Sequence, residues 1–134
     1  MSRPADFEYV INYTERMNCP NLARAFEALW KVEPSTEELD EALWYIDREL
    51  ALRNQWNRPL RFDTANGKPV GHLPEDDQMF QDYLKVYGGK SEPELKRREI
   101  LYGLWCADMT NGGEVLGVIK GLVEKRFAEV ASDA

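Results

Sequence analysis

The sequence predicts an all-α fold, a compact bundle of five or six helices with one long loop over about residues 56–73. Apolar residues recur every three or four positions through nearly the whole chain, the spacing that places them on one face of a helix. Helix start and stop signals divide this pattern into about six segments. At 134 residues the chain has the usual size of one domain, so residues 1–134 are expected to form a single helical domain.

The first two helices are predicted on either side of a break around Pro20. Residues 6–17 carry apolar side chains at helical spacing. Proline lacks a backbone N–H and cannot continue an interior turn, so this helix is expected to end before Pro20. The second helix is predicted from Leu22 to about Val32.

The third helix has the clearest start signal in the chain. Ser35 and Glu38 have the spacing of a capping box, in which the hydroxyl accepts from a backbone N–H and the carboxylate reaches back. We expect the helix to extend to about Asn54. Its apolar stripe consists of Leu39, Leu43, Ile46 and Leu50.

The helical period fails after Trp56, where prolines and glycines interrupt it. Asn66-Gly67 is a strong tight-turn signal because both residues tolerate positive φ. A minimal β-hairpin that pairs residues 60–63 with residues 68–71 is therefore expected within the loop. A fourth helix is predicted from about Pro74 to the glycines at 88–89, which favour a helix end.

Two further helices complete the predicted bundle. Ser91 and Glu94 repeat the capping-box spacing and begin the fifth helix, which the glycines at 112–113 end. The sixth, from Glu114 to about Val130, is the most apolar and is expected to lie centrally. The third, fifth and sixth helices are predicted to form the main core. Four tryptophans are expected to serve as large apolar anchors: Trp30, Trp44, Trp56 and Trp105.

The inventory of reactive residues predicts no catalytic residue, no metal site and no cofactor. The chain has one histidine, His72, so it cannot form a site that needs two imidazoles. Cys19 and Cys106 lie far apart and match no zinc or redox spacing. Because free cysteine is usually buried, Cys106 is expected to be a small hydrophobic residue inside a helix.

Charge and hydropathy limit the partners. The net charge of −7 argues against direct nucleic-acid binding, which depends on lysine and arginine displacing counterions. The negative charge is unevenly distributed along the chain, since residues 1–52 carry 5 basic and 11 acidic side chains. We expect neither a secretion signal nor a membrane span, because residues 1–6 are polar and no later apolar run approaches the length that spans a bilayer. The expected location is cytoplasmic, with no membrane partner.

The segment from Arg53 to Phe62, where the helical pattern ends, combines arginine with aromatic residues. Arginine and tryptophan are enriched at the energetic centres of protein interfaces. The alternative is a structural role, because a cation is favourable at a helix C-terminus and Trp56 can close the end of the bundle. The predicted partner-binding residues are Arg53, Trp56, Arg58, Arg61 and Phe62.

A second candidate surface is acidic. Carboxylates at phosphate-like spacing can occupy the basic groove of a nucleic-acid-binding protein, although acidic residues at a helix N-terminus also stabilise the helix dipole. The residues of this candidate DNA-mimic face are Glu37, Glu38, Asp40 and Glu41.

These observations favour a noncatalytic protein-binding module, such as an adaptor, assembly chaperone, accessory subunit or inhibitor that docks on a larger protein or complex. One alternative is an acidic, virus-encoded inhibitor of a nucleic-acid-binding complex that acts as a DNA mimic. Another is a small enzyme or enzyme subunit with a carboxylate-based site, to which residues such as Asp108 or Glu114 could contribute. The sequence leaves the oligomeric state open and is compatible with a homo-oligomer.

Overall fold

The chain folds as a bundle of α-helices, which confirms the predicted fold class. The computed structural model describes residues 13–31, 33–55, 62–63, 68–69, 74–87, 89–109 and 113–133. The helices are α1 (Pro20–Ala28), α2 (Thr36–Gln55), α3 (Pro74–Tyr87), α4 (Glu92–Ala107) and α5 (Glu114–Asp133). Residues 13–15 are also helical, and the rest of the helix predicted over 6–17 lies largely outside the described residues.

Both predicted capping boxes are present. Ser35 Oγ accepts from the Glu38 backbone N–H at 3.2 Å, and the Ser35 N–H donates to the Glu38 carboxylate at 2.9 Å. Ser91 and Glu94 make the same pair of contacts at the start of α4. Partial burial opposes ionisation of Glu38, but the hydrogen bonds from Ser35 and from Lys31 outweigh it and lower the pKa of this carboxyl. Local chemistry therefore fixes where α2 and α4 begin.

The predicted hairpin is present as a short antiparallel pair. Strands β1 (Phe62–Asp63) and β2 (Lys68–Pro69) align Phe62 with Pro69 and Asp63 with Lys68. The remainder of the predicted loop over 56–73 lies outside the described residues. Helix α3 follows, with the predicted start at Pro74 and end at Tyr87.

Helix α1 is shorter than predicted, because it ends at Ala28 and not near Val32. Beyond its end, the Trp30 carbonyl accepts a hydrogen bond from Arg97 of α4. The guanidinium of Arg97 also lies 4.7 Å from the centroid of the Trp30 ring, a cation–π distance. This contact with a distant helix replaces the next turn of α1.

The core draws on more of the chain than predicted. Helices α2, α4 and α5 contribute to it as expected, but α1 also packs closely on α2 and buries Leu22, Ala25 and Phe26. An aromatic cluster fills the interior between α1, α3 and α4. Its buried members are Tyr13, Phe26, Trp30, Phe80 and Trp105.

Helix α5 is not central, contrary to the prediction. It buries Leu116, Ile119 and Val123 against α2 and α4, while Val115 and Val118 are 39% and 66% exposed. The buried positions follow one stripe of a helix that is covered on one side only. None of the described helices combines the length and the hydrophobicity needed to cross a membrane.

The crossing of α4 and α5 depends on Gly103. A Cβ atom at this position would lie 2.0 Å from Ile119 Cδ1. The glycine therefore lets the side chain of Ile119 approach the α4 backbone, which places the buried stripe of α5 against α4.

Candidate functional site

The outer face of α2 presents an exposed tryptophan among carboxylates. Trp44 is 57% exposed at the middle of the helix. The other exposed residues around it recur at intervals of three and four, the spacing of a single helical face. We call this set the Trp44 surface: Glu37, Asp40, Glu41, Trp44, Asp47 and Arg48.

The Trp44 ring is held by its neighbours although it faces solvent. The Tyr45 ring packs edge-on against it at 5.0 Å between centroids, and the Arg48 guanidinium lies 5.6 Å from its centroid. Tryptophan is highly buried on average, so an exposed one is informative in a way that an exposed leucine is not. The expectation that Trp44 anchors the core is therefore wrong.

The carboxylates of the Trp44 surface differ in how far they are committed to internal contacts. Asp47 pairs with Lys120 of α5 at 2.8 Å, whereas Glu37, Asp40 and Glu41 form no ion pair with any other described residue. Glu38, which the sequence placed on the same acidic face, contacts Ser35 and pairs with Lys31 at 3.1 Å. Within the described part of the chain, these three carboxylates beside Trp44 thus have no cationic partner.

Arg53 lies inside the protein and not on a docking surface. Its guanidinium pairs with Glu49 at 2.9 Å, and both side chains are fully buried. It also donates to the Ala107 carbonyl at 3.2 Å and to Cys19 Sγ at 3.4 Å. Asn21 donates to the second Glu49 oxygen at 3.1 Å. The structure therefore places Arg53, a residue predicted for partner binding, inside the protein, where it joins α1, α2 and α4.

Asp108 has a structural role in the same buried region. Its two oxygens accept from the backbone N–H groups of Asn18 and Cys19 at 2.6 and 2.7 Å. These bonds tie the chain entering α1 to the end of α4. Glu114, the other carboxylate that the sequence suggested for an enzyme, is exposed at the start of α5. The two carboxylates do not converge on one site.

The other predicted partner-binding residues belong to the segment that follows α2. Trp56, Arg58 and Arg61 lie outside the described residues, as does His72, and the Phe62 side chain is not described although its backbone belongs to β1. The described residues contain no group of three or more His, Cys, Asp and Glu side chains placed to hold a metal ion.

A shallow groove runs between α4 and α5. It has a volume of about 90 Å³, well below the size of a typical small-molecule site. Glu129 of α5 accepts from Lys96 of α4 at 2.6 Å across this groove, and Arg126 on the same helix as Glu129 donates to the same carboxylate at 3.3 Å. Ion pairs within the protein therefore fill the groove and join α4 to α5.

The two thiols should differ in reactivity. Burial, followed by the charges of Asp108 and Glu49, raises the pKa of the Cys19 thiol to about 12 although Arg53 opposes this effect. The Cys106 side chain is only half-buried, which corrects the expectation of a buried residue. We expect iodoacetamide at about pH 8 to alkylate Cys106 in the native protein and Cys19 only after unfolding, because the thiolate is the nucleophile. Mass spectrometry of digested samples measures both.

The raised pKa of Cys19 predicts that the protein loses stability at alkaline pH. The unfolded chain releases the Cys19 proton near the ordinary thiol pKa of 9.0, whereas the folded chain holds it to about 12. The contribution of this group to the free energy of unfolding is therefore present below pH 9.0 and is lost as the pH rises toward 12. Urea denaturation at a series of alkaline pH values measures this loss. A Cys19→Ser variant whose free energy of unfolding falls as steeply with pH as that of the wild-type protein would contradict a role for this thiol.

Comparison with known proteins gave no match, since no protein-family model, curated protein or solved structure is significantly similar to the chain. The functional interpretation therefore depends on the geometry of the chain itself.

Proposed function

We propose that this chain is a noncatalytic protein-binding module that docks through the Trp44 surface onto a basic surface of a larger protein. The observation that carries this proposal is the 57% exposure of Trp44 on a helical face whose carboxylates Glu37, Asp40 and Glu41 pair with no cation among the described residues. Because Arg53 is buried, the proposal depends on the Trp44 surface of α2, while Trp56, Arg58 and Arg61 lie outside the described residues.

The chemistry of the surface favours a partner rich in arginine and lysine. Tryptophan is among the residues that contribute most to binding energy at interface centres, where it excludes water. Glu37, Asp40 and Glu41 can pair with cations around that centre, which increases the association rate and orients the partner. The contacts of Trp44 with Tyr45 and Arg48 reduce the entropy lost when the ring is immobilised on binding.

A DNA-mimic inhibitor is a second candidate, supported by the exposure of the same carboxylates. Under this hypothesis the partner binds nucleic acid through the surface that Glu37, Asp40 and Glu41 occupy. The two candidates differ in one result: at a salt concentration that suppresses nonspecific binding to phosphates, DNA should displace the chain from its partner only if the chain acts as a mimic.

The test is capture from cells that naturally express the chain. Tagged wild-type protein is compared with Trp44→Ala and with a triple charge reversal, Glu37→Lys, Asp40→Lys and Glu41→Lys. We expect each variant to lose at least about 90% of the bound partner, since hot-spot truncations cost about 2 kcal/mol or more. Quantitative mass spectrometry measures recovery, and circular dichroism checks that the variants fold.

A matched control separates local contact from net charge. Glu75, Glu99 and Glu124 are exposed on α3, α4 and α5, and changing all three to lysine alters the net charge by the same amount. This control should retain the partner. If both triple variants lose the partner equally, the binding depends on net charge and not on the Trp44 surface. If Trp44→Ala retains the partner fully, the proposed surface is excluded.

A further inference from the structure

The solvent-facing side of α5 carries an exposed hydrophobic residue beside two open glycines. Val118 is 66% exposed, the largest exposure of any large hydrophobic residue among those described. Gly117 and Gly121 are also exposed, and a Cβ atom added to either would meet nothing within 4 Å. A glycine inside a helix costs about 1 kcal/mol relative to alanine, and no contact among the described residues explains either one.

Four exposed residues form a straight seam along this face. Glu114, Val118, Gly121 and Lys125 are separated by four, three and four positions, the 3.5-residue repeat through which two helices pack side by side. If a second copy packs antiparallel about a two-fold axis midway between positions 118 and 121, each Val118 lies over Gly121 of the other copy. The missing side chain of the glycine provides the space that the valine fills.

The charges at the ends of the seam are complementary in the same arrangement. Glu114 and Lys125 have no ion-pair partner among the described residues. They are separated by roughly 16 Å along their own helix, too far to pair with each other. Antiparallel packing brings each Glu114 opposite Lys125 of the other copy, whereas parallel packing would bring like charges together. The charge pattern therefore selects the antiparallel arrangement.

We propose that this face of α5 is the contact between two copies of the chain. The occupant is a second copy because the seam is its own complement in both shape and charge, as a two-fold symmetric interface requires. The inference does not depend on the proposed function, since the Trp44 surface lies on α2. A seam of twelve residues is short, so the dimer belongs to the class of small interfaces, below about 1,200 Å², that associate weakly.

Sedimentation equilibrium of the full chain, at concentrations from about 10 μM to 1 mM, tests this proposal. We expect a reversible monomer–dimer equilibrium in the wild-type protein. Gly121→Gln should weaken dimerisation at least about tenfold because the new side chain occupies the space that Val118 of the second copy fills. Gly117→Gln is the matched control: it adds the same side chain one turn earlier and beside the seam, and should change the dissociation constant less than about threefold.

A charge exchange tests the alignment. Glu114→Lys and Lys125→Glu should each weaken the dimer, and the two changes combined should restore it because they recreate the pair with opposite polarity. Thermal unfolding of each variant confirms that the monomer remains folded. A wild-type chain that stays monomeric at 1 mM, equal effects of the two glycine variants, or a double exchange that fails to restore association would each overturn the proposal. None of these results would affect the Trp44 surface.

Discussion

Replacing Arg53 with methionine should reduce the free energy of unfolding by about 3–5 kcal/mol, because it leaves a buried carboxylate without its cation. The side chains of Arg53 and Glu49 are fully buried and 2.9 Å apart. The variant also loses the hydrogen bonds that Arg53 donates to Ala107 and Cys19. Urea denaturation followed by circular dichroism measures the loss, and the deficit should shrink at low pH as protonation removes the unpaired charge.

The double variant Arg53→Met with Glu49→Leu provides the control for this prediction. It removes both charges together, so most of the lost stability should return. Asn21 then loses its acceptor on Glu49, and recovery should remain incomplete for this reason. A loss of less than about 1 kcal/mol in the single variant would mean that the Arg53–Glu49 pair is accessible to water, which would contradict its burial.

Trp105→Ala should reduce the free energy of unfolding by about 3–5 kcal/mol through the cavity it leaves in the core. Trp105 is 2% exposed, and its ring stacks on Phe80 of α3 at 5.1 Å and meets Tyr13 edge-on at 5.9 Å. The cavity should therefore loosen the packing of α3 as well as lower global stability. Urea denaturation and hydrogen exchange in α3 measure the two effects.

Leu95→Ala provides the comparison on the same helix. Leu95 is 49% exposed, so its truncation should change stability by no more than about 0.5 kcal/mol. A similar loss in the two variants would contradict the separation of α4 into a buried and an exposed face.

The helix starts were predictable because they depend on residues close in sequence. The contacts between Ser35 and Glu38, and between Ser91 and Glu94, span three positions and need no tertiary information. The early end of α1 was not predictable, because the residue that binds the Trp30 carbonyl, Arg97, is 67 positions away. The burial of Arg53 was missed for the same reason, since Cys19 and Ala107 are distant in sequence.

The main elements of the candidate surface were only partly visible in the sequence. The carboxylates at 37, 40 and 41 were recognised, but Trp44 was taken as a core residue because tryptophan is usually buried. Its position contained a usable signal, because it follows the apolar-stripe residue Leu43 by one position. Three or four positions separate it from Asp40, Glu41 and Asp47, which places it on the same polar face of the helix. On α5 neighbouring apolar residues differ in the same way, because Leu116 is buried whereas Val115 is 39% exposed.

Site-specific photo-crosslinking tests the docking role of the Trp44 surface most directly. A photoreactive amino acid is placed at Glu41, beside Trp44, or at Glu99 on α4, and both positions are exposed. In cells that express the chain, we expect position 41 to crosslink to one protein at a peptide rich in arginine and lysine, and Trp44→Ala to abolish that adduct. Equal adducts at both positions, or an adduct at 41 that survives Trp44→Ala, would contradict this role.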